Sequence, residues 1–199
     1  MSLIIWKRPA ESAHAYASIW WEEGSPLIVL SRRLQAAMAE RWTQGPVELA
    51  MRYAEPSIQG ALERLAEQGV RRVTVAPLYP QFADSTTTTA LQEIRRVARA
   101  GSFAFEMDYL PPFYDQEAYQ QALVTSAQPY LEQGFDHLLL SFHGIPEAHI
   151  RKLIKDPSHS LRAPNSQGVS EANLALCYRS QCQRTAEHTR TNQRQAVLR

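Results

Sequence analysis

Cysteine is scarce in this sequence: only Cys177 and Cys182 occur in a chain of 199 residues. Two thiols cannot make a disulfide framework, and their spacing matches neither the CxxC of a zinc knuckle nor that of a thioredoxin-type pair. They read as ordinary thiols of a reducing compartment. Long apolar runs are missing as well. A membrane-spanning helix needs ~20 apolar residues in a row, and no stretch here approaches that. Met1 to Lys7 holds a short apolar patch without signal-peptide architecture, so the expected location is cytoplasmic and no transmembrane anchor is expected. Nor is there an excess of one charge, since 21 Lys+Arg face 20 Asp+Glu for a net +1. With 44% hydrophobic residues, the composition is that of a folded globular chain and excludes disorder over most of the length. A local excess exists from Arg179 to Arg199, with five arginines against one acid. No aromatic follows Tyr178 to stack on bases, so no nucleic-acid partner is expected. Finally, neither GxGxxG nor GxxxxGK[ST] occurs, which argues against dinucleotide and P-loop sites.

What is present is an alternation of periods. Pro26 to Trp42 reads as a helix with Leu27, Leu30, Leu34, Ala37 and Met38 on one face, opened by Ser25 as cap and Pro26 at the first position. Val47 to Tyr53 reads as a strand, and Pro56 to Gln68 as a helix stopped by Gly69. Val70 to Leu78 is a strand rich in β-branched residues. Asp84 to Ala100 is helical, Phe103 to Leu110 a strand, and Asp115 to Gln133 a helix. His137 to Phe142 is apolar throughout, as for a strand covered on both faces. A helix around Ile145 to Lys155, a polar loop and a last helix from about Ser170 complete the chain. The fold class is α/β, with a parallel sheet flanked by helices.

In open sheets of this class ligands bind beyond the carboxyl ends of the strands. Those ends carry Met51-Arg52-Tyr53, then Pro77-Leu78-Tyr79-Pro80-Gln81-Phe82, then Tyr109 to Tyr114, then Ser141-Phe142-His143-Gly144. Aromatics with one arginine and one imidazole suit a large flat apolar ligand edged by anions. His143 either caps the next helix or meets the ligand. Neutral imidazole can take a proton or ligate a borderline divalent metal. Arg52 is either a surface arginine or a carboxylate clamp. Tyr53 and Tyr79 are core aromatics or ligand contacts. Ser85, Thr86 and Thr87 cap a helix or aim donors at an anion. His149 is expected at the surface.

Four segments together resemble ferrochelatase. They are Ser141-Phe142-His143-Gly144-Ile145-Pro146-Glu147, Met51 to Ile58, Pro77 to Thr87, and Glu22-Glu23-Gly24-Ser25-Pro26-Leu27, in the family's order over roughly residues 10–186. The resemblance implies a chelatase-like three-layer fold, here partial, over residues 1–186, with 187–199 as an unstructured tail. It implies insertion of ferrous iron into a porphyrin during haem biosynthesis. His143 is then the catalytic residue, abstracting pyrrole protons or ligating the incoming metal. Ser25, Arg52, Tyr53, Tyr79 and Ser85 to Thr87 match the porphyrin cleft.

Departures from the family are equally specific. The chain lacks the family's opening apolar strand with its Gly-rich turn. It stops soon after the Cys177-to-Thr185 stretch, where a second half supplying the histidine's partner glutamate would begin. The expectation is therefore a fragment, with porphyrin and Fe²⁺ as substrates and no required cofactor. Two cysteines cannot supply the four thiolates of an iron–sulfur cluster, so none is expected. Two alternatives stay open: a non-catalytic porphyrin- or haem-binding module, and a related class II chelatase that loads cobalt. Peripheral membrane contact and oligomeric state are left unassigned.

Overall fold

A computed structural model describes residues 13–133, 139–153 and 181–187. The chain divides into two compact units, one taking the residues up to Arg71 with Ala100–Ala104, the other Arg72–Arg99 with the residues from Phe105 onward.

In the first unit, α1 spans Pro26–Arg41 and α2 spans Ile58–Glu67. The start of α2 is set by Ser57, whose hydroxyl accepts from the Gly60 amide at 3.3 Å. Its end is set by Gly69, which takes φ +70°, a conformation that costs an L side chain ~1–2 kcal/mol. The Gly69 and Val70 amides return to the Ala66 and Leu65 carbonyls at 2.9 and 3.1 Å, satisfying the last turn. Ile58, Ala61, Leu62 and Leu65 are buried and form the core of this unit. Full burial of a leucine side chain contributes ~1.5–3 kcal/mol, so this stripe holds α2 in place. Helix α1 behaves otherwise. Its expected apolar face is uncovered, with Leu27, Leu30, Leu34 and Met38 between 63% and 40% exposed and no residue of the helix buried.

The second unit contains a two-stranded parallel sheet, β1 (Arg72–Val75) beside β2 (Glu106–Tyr109), in the register Val73 to Met107 and Val75 to Tyr109. The crossover between them is a π-helical turn, Asp84–Thr88, continued by α3 (Thr89–Ala100). Thus the βαβ unit expected from the alternating periods is formed, and the chain is a mixed helix and parallel-sheet protein of α/β class. Helices α4 (Glu117–Leu131) and α5 (Glu147–Leu153) follow, and residues 181–187 are helical. Ala83, Ala90, Ala98, Tyr114, Val124, Ile150 and Cys182 are the buried apolar residues here.

Two strand expectations fail among the described residues. Val47 to Tyr53 makes no strand. Met51 forms an isolated bridge with Ser57, its amide donating to the Pro56 carbonyl at 2.7 Å. A strand is a ladder with a partner, and β-propensity alone does not supply one. The apolar run at His137 to Phe142 is described only from Leu139, and Leu139 to Phe142 carries no strand, with Leu139 88% exposed. An apolar run becomes a buried strand only where both faces are covered. The part of the last helix before residue 181 and the tail beyond 187 lie outside the described residues.

An open two-stranded sheet and an uncovered helix face both invite association. The isolated chain is expected to self-associate above micromolar concentration, read by light scattering. A monomeric peak with cooperative unfolding would refute this.

Candidate active site

In the first unit the residues around Ser25 are fixed by a tight turn. Trp21 and Gly24 exchange backbone hydrogen bonds at 3.0 and 3.1 Å, and Gly24 takes φ +119°, outside the reach of most side chains. Glu23 pairs with Arg33 of α1 at 2.8 Å, tying the turn to the helix. Ser25 stands at the N-cap with Pro26 behind it, as expected, yet its side chain makes no capping hydrogen bond. The hydroxyl is therefore not consumed by the helix it precedes. Further along, the Arg52 guanidinium lies over the Tyr53 ring, 4.6 Å from its centroid. Tyr53 is 76% exposed, which removes the core reading of this aromatic. The Arg52 Nε is buried without a hydrogen-bond partner among the described residues. A buried unpaired donor of a charged group is costly.

In the second unit, the segments after β1 and β2 are bound to each other. The Pro80 carbonyl accepts from both the Phe113 and Tyr114 amides at 3.0 Å. Tyr79 is half-buried in the first of these segments. At the end of β2 the aromatics turn inward: Tyr114 is buried, and Phe113 meets Tyr119 of α4 edge-on at 5.3 Å. Tyr114 belongs to the core, contrary to the expectation that it lines a mouth, while Phe113 is half-buried.

Ser85, Thr86 and Thr87 form the π-helical turn itself, a geometry that recurs at functional sites. The Ala83 carbonyl accepts the Thr86 and Thr87 amides at 3.1 and 2.9 Å. Thr86 also donates its hydroxyl to that carbonyl at 3.3 Å, and Thr89 donates to the Ser85 and Thr86 carbonyls. The Thr87 hydroxyl is buried with no partner among the described residues, while Ser85 is exposed.

His143 lies in an extended, exposed segment four residues before α5. Its Nδ1 sits 2.6 Å from the Gly144 carbonyl. A carbonyl only accepts, so Nδ1 carries the hydrogen, and in the neutral ring Nε2 keeps its lone pair. Helix α5 anchors this segment to the π-helical turn through Lys152, which donates to Asp84 at 3.0 Å. The Lys152 hydrogen bond holds the Asp84 carboxyl below the usual carboxylate range, with burial opposing and the His149 charge assisting. His149 corrects an expectation. It is half-buried, with Nδ1 unpartnered among the described residues, because α5 packs its Ile150 face inward and carries His149 with it.

A depressed carboxyl contributes stability above its unfolded-state range and loses that contribution as pH falls through the folded value. Lys152 is exposed, so the contribution is at most about 1 kcal/mol, that of a surface pair. Asp84→Asn is expected to lower urea-unfolding stability by up to that amount at pH 7 and by nothing at pH ~2, below the ordinary aspartate range. An equal loss at both pH values would show that the pair is not the cause.

Residues 181–187 contribute contacts that motif reading missed. Gln181, fully buried, accepts the Phe82 amide at 2.6 Å, and Thr185 accepts from the Gln81 side chain at 3.3 Å. Their signal in the sequence is a pair of polar residues four apart, on one face of a helix. Among the described residues, no group of three or more His, Cys, Asp and Glu could hold a metal ion. A groove of about 360 Å³ along α3, lined by Gln92, Arg95, Arg96 and Arg99, includes none of the candidate residues.

The family model described as Ferrochelatase matches residues 1–196. This chain belongs to the ferrochelatase family. It is 69% identical over 187 residues to a curated Pseudomonas aeruginosa (strain LESB58) protein named ferrochelatase, covering 94% of this chain and 55% of that protein. Similar matches are 66% identical over 189 residues in Ectopseudomonas mendocina, covering 94% and 55%, and 58% over 189 in Pseudomonas putida, covering 94% and 56%. The chain thus spans about half the length of the curated relatives it matches. No solved structure is significantly similar to it. The ferrochelatase match contains every candidate residue. No helix among the described residues is long and apolar enough to cross a membrane.

Proposed function

We propose that this chain carries porphyrin-binding and proton-abstracting parts of a ferrochelatase, which inserts Fe²⁺ into a porphyrin. The observation carrying this reading is the 69% identity, over 94% of the chain, to a protein named ferrochelatase. Insertion replaces two pyrrole N–H protons with a divalent cation; two protons leave, and no electron is transferred. The reaction needs a base at the macrocycle face and anchors for the propionate edge. His143 is the base or first metal ligand in this reading, supported by a ring whose Nδ1 is engaged and whose Nε2 is left for substrate. Gly144 beside it permits close approach of a flat ligand. Arg52 clamps a propionate, with Tyr53 as its stacking partner. Ser25, Tyr79 and Ser85 to Thr87 complete the porphyrin contacts. Fe²⁺ is substrate, and the reading requires no resident cofactor or iron–sulfur cluster. We place the chain in the cytoplasm, in keeping with its low cysteine content.

A Soret-band titration with a free-base porphyrin, followed by addition of Fe²⁺ or Zn²⁺, tests the reading. Saturable binding followed by metallation supports it. Binding without metallation assigns a porphyrin-binding module, and absence of both refutes the reading for this chain.

A further inference from the structure

We propose that Gln181 and Thr185 are positioning residues for the porphyrin-facing turn: one helical turn apart, they form a polar latch that fixes residues 81–83 and through them Ser85, Thr86 and Thr87. The inference rests on the assignment of that turn to porphyrin binding. Gln181 has no exposed surface, an uncommon place for a primary amide. Its Oε1 accepts the Phe82 amide at 2.6 Å. The next residue, Ala83, receives the amides of Thr86 and Thr87 on its carbonyl. The segment is therefore gripped at Phe82 by the 181–187 helix and at Ala83 by the turn it launches.

Thr185 provides the second hold. Its hydroxyl accepts from Gln81 Nε2 at 3.3 Å and shares its proton between the Gln181 carbonyl at 3.1 Å and the Tyr114 carbonyl at 3.3 Å. Tyr114 O also accepts from Gln120, which is itself buried. The latch thus joins the segments that follow β1 and β2, which already share the Pro80 carbonyl. Apolar side chains would fill the same space without choosing one position for Phe82. A satisfied polar network chooses one, because each alternative leaves a buried donor or acceptor unpaired. A turn that must present the exposed Ser85 to a ligand needs that choice made before binding.

Two measurements on the whole chain test this: amide hydrogen exchange, and Soret titration with a free-base dicarboxylate porphyrin. Gln181→Met removes the acceptor at similar volume, and Thr185→Val removes only a hydroxyl. Each is expected to speed exchange at Phe82, Thr86 and Thr87 about tenfold and to weaken porphyrin binding about tenfold, the loss of roughly one hydrogen bond's coupling. Protection in β1 and β2 should be retained. Thr185→Ser, which keeps the hydroxyl, should stay within about threefold of the parent in both readouts, a difference small beside one hydrogen bond. Unchanged exchange and affinity in the Met and Val variants would overturn the proposal, as would equal loss of protection in the sheet, which marks a purely structural role. If Gln181→Met does not fold, the Val and Ser pair decides. A parent chain that binds no porphyrin refutes the functional reading and the latch's role in binding; exchange at Phe82 to Thr87 then decides separately whether the latch holds the turn.

Discussion

His143→Ala is expected to abolish metal insertion while leaving porphyrin affinity within about twofold of the parent, since affinity rests on aromatic area and carboxylate clamps. The physical basis is narrow. Among the described residues His143 is exposed on a segment without a ladder, and its Nδ1 is committed to the Gly144 carbonyl. Alanine removes the Nε2 lone pair and nothing that packs. Loss of a positioned proton acceptor typically costs ~10²–10⁴ in rate. The measurement is Zn²⁺ or Fe²⁺ insertion followed spectroscopically, in this chain and in a chimera completed by the parts of the Pseudomonas aeruginosa relative that this chain does not cover. A variant that metallates porphyrin near the parent rate, in a background where the parent is active, would remove His143 from the reaction.

Arg52→Ala should weaken binding of a carboxylate-bearing porphyrin by about 1.5–3 kcal/mol, the range for hydrogen bonds to charged groups, or roughly ten- to hundredfold. The arginine is prepared for that task by its stack on Tyr53, which holds the guanidinium in one place. The affinity of an esterified porphyrin should change little, because the ester offers no anion to clamp. Equal losses for acid and ester would mean that Arg52 acts by shaping the Met51–Ser57 segment instead.

Much of the local structure was legible. Gly69 ends α2 because it offers a left-handed conformation, a property of a single residue, whereas the start, expected at Pro56, is set at Ile58 by the Ser57 cap. The β-branched run at Val73-Thr74-Val75 and the helical period after Asp84 foretold a parallel βαβ unit. The motifs themselves identified the family, later supported by the match over residues 1–196. Less legible were features that depend on distant partners. Val47 to Tyr53 had the right composition for a strand but only one bridge to Ser57. The burial of Tyr114, the half-burial of His149 and the Gln181 bond to Phe82 each join residues far apart in the chain, or follow from the packing of a whole helix.

The amino-acid order by itself determined where α1 begins and where α2 stops, the α/β class, the family, and the candidate residues Ser25, Arg52, Tyr53, Tyr79, Ser85 to Thr87 and His143. These follow from capping chemistry, backbone stereochemistry and short motifs, all of which act within a few residues. Tertiary structure alone decided that Lys152 ties α5 to Asp84 and that residues 181–187 grip the segment before the turn. Which hydrogen bonds a buried polar group makes depends on what the fold brings within 3 Å of it, and spacing along the chain carries no record of that.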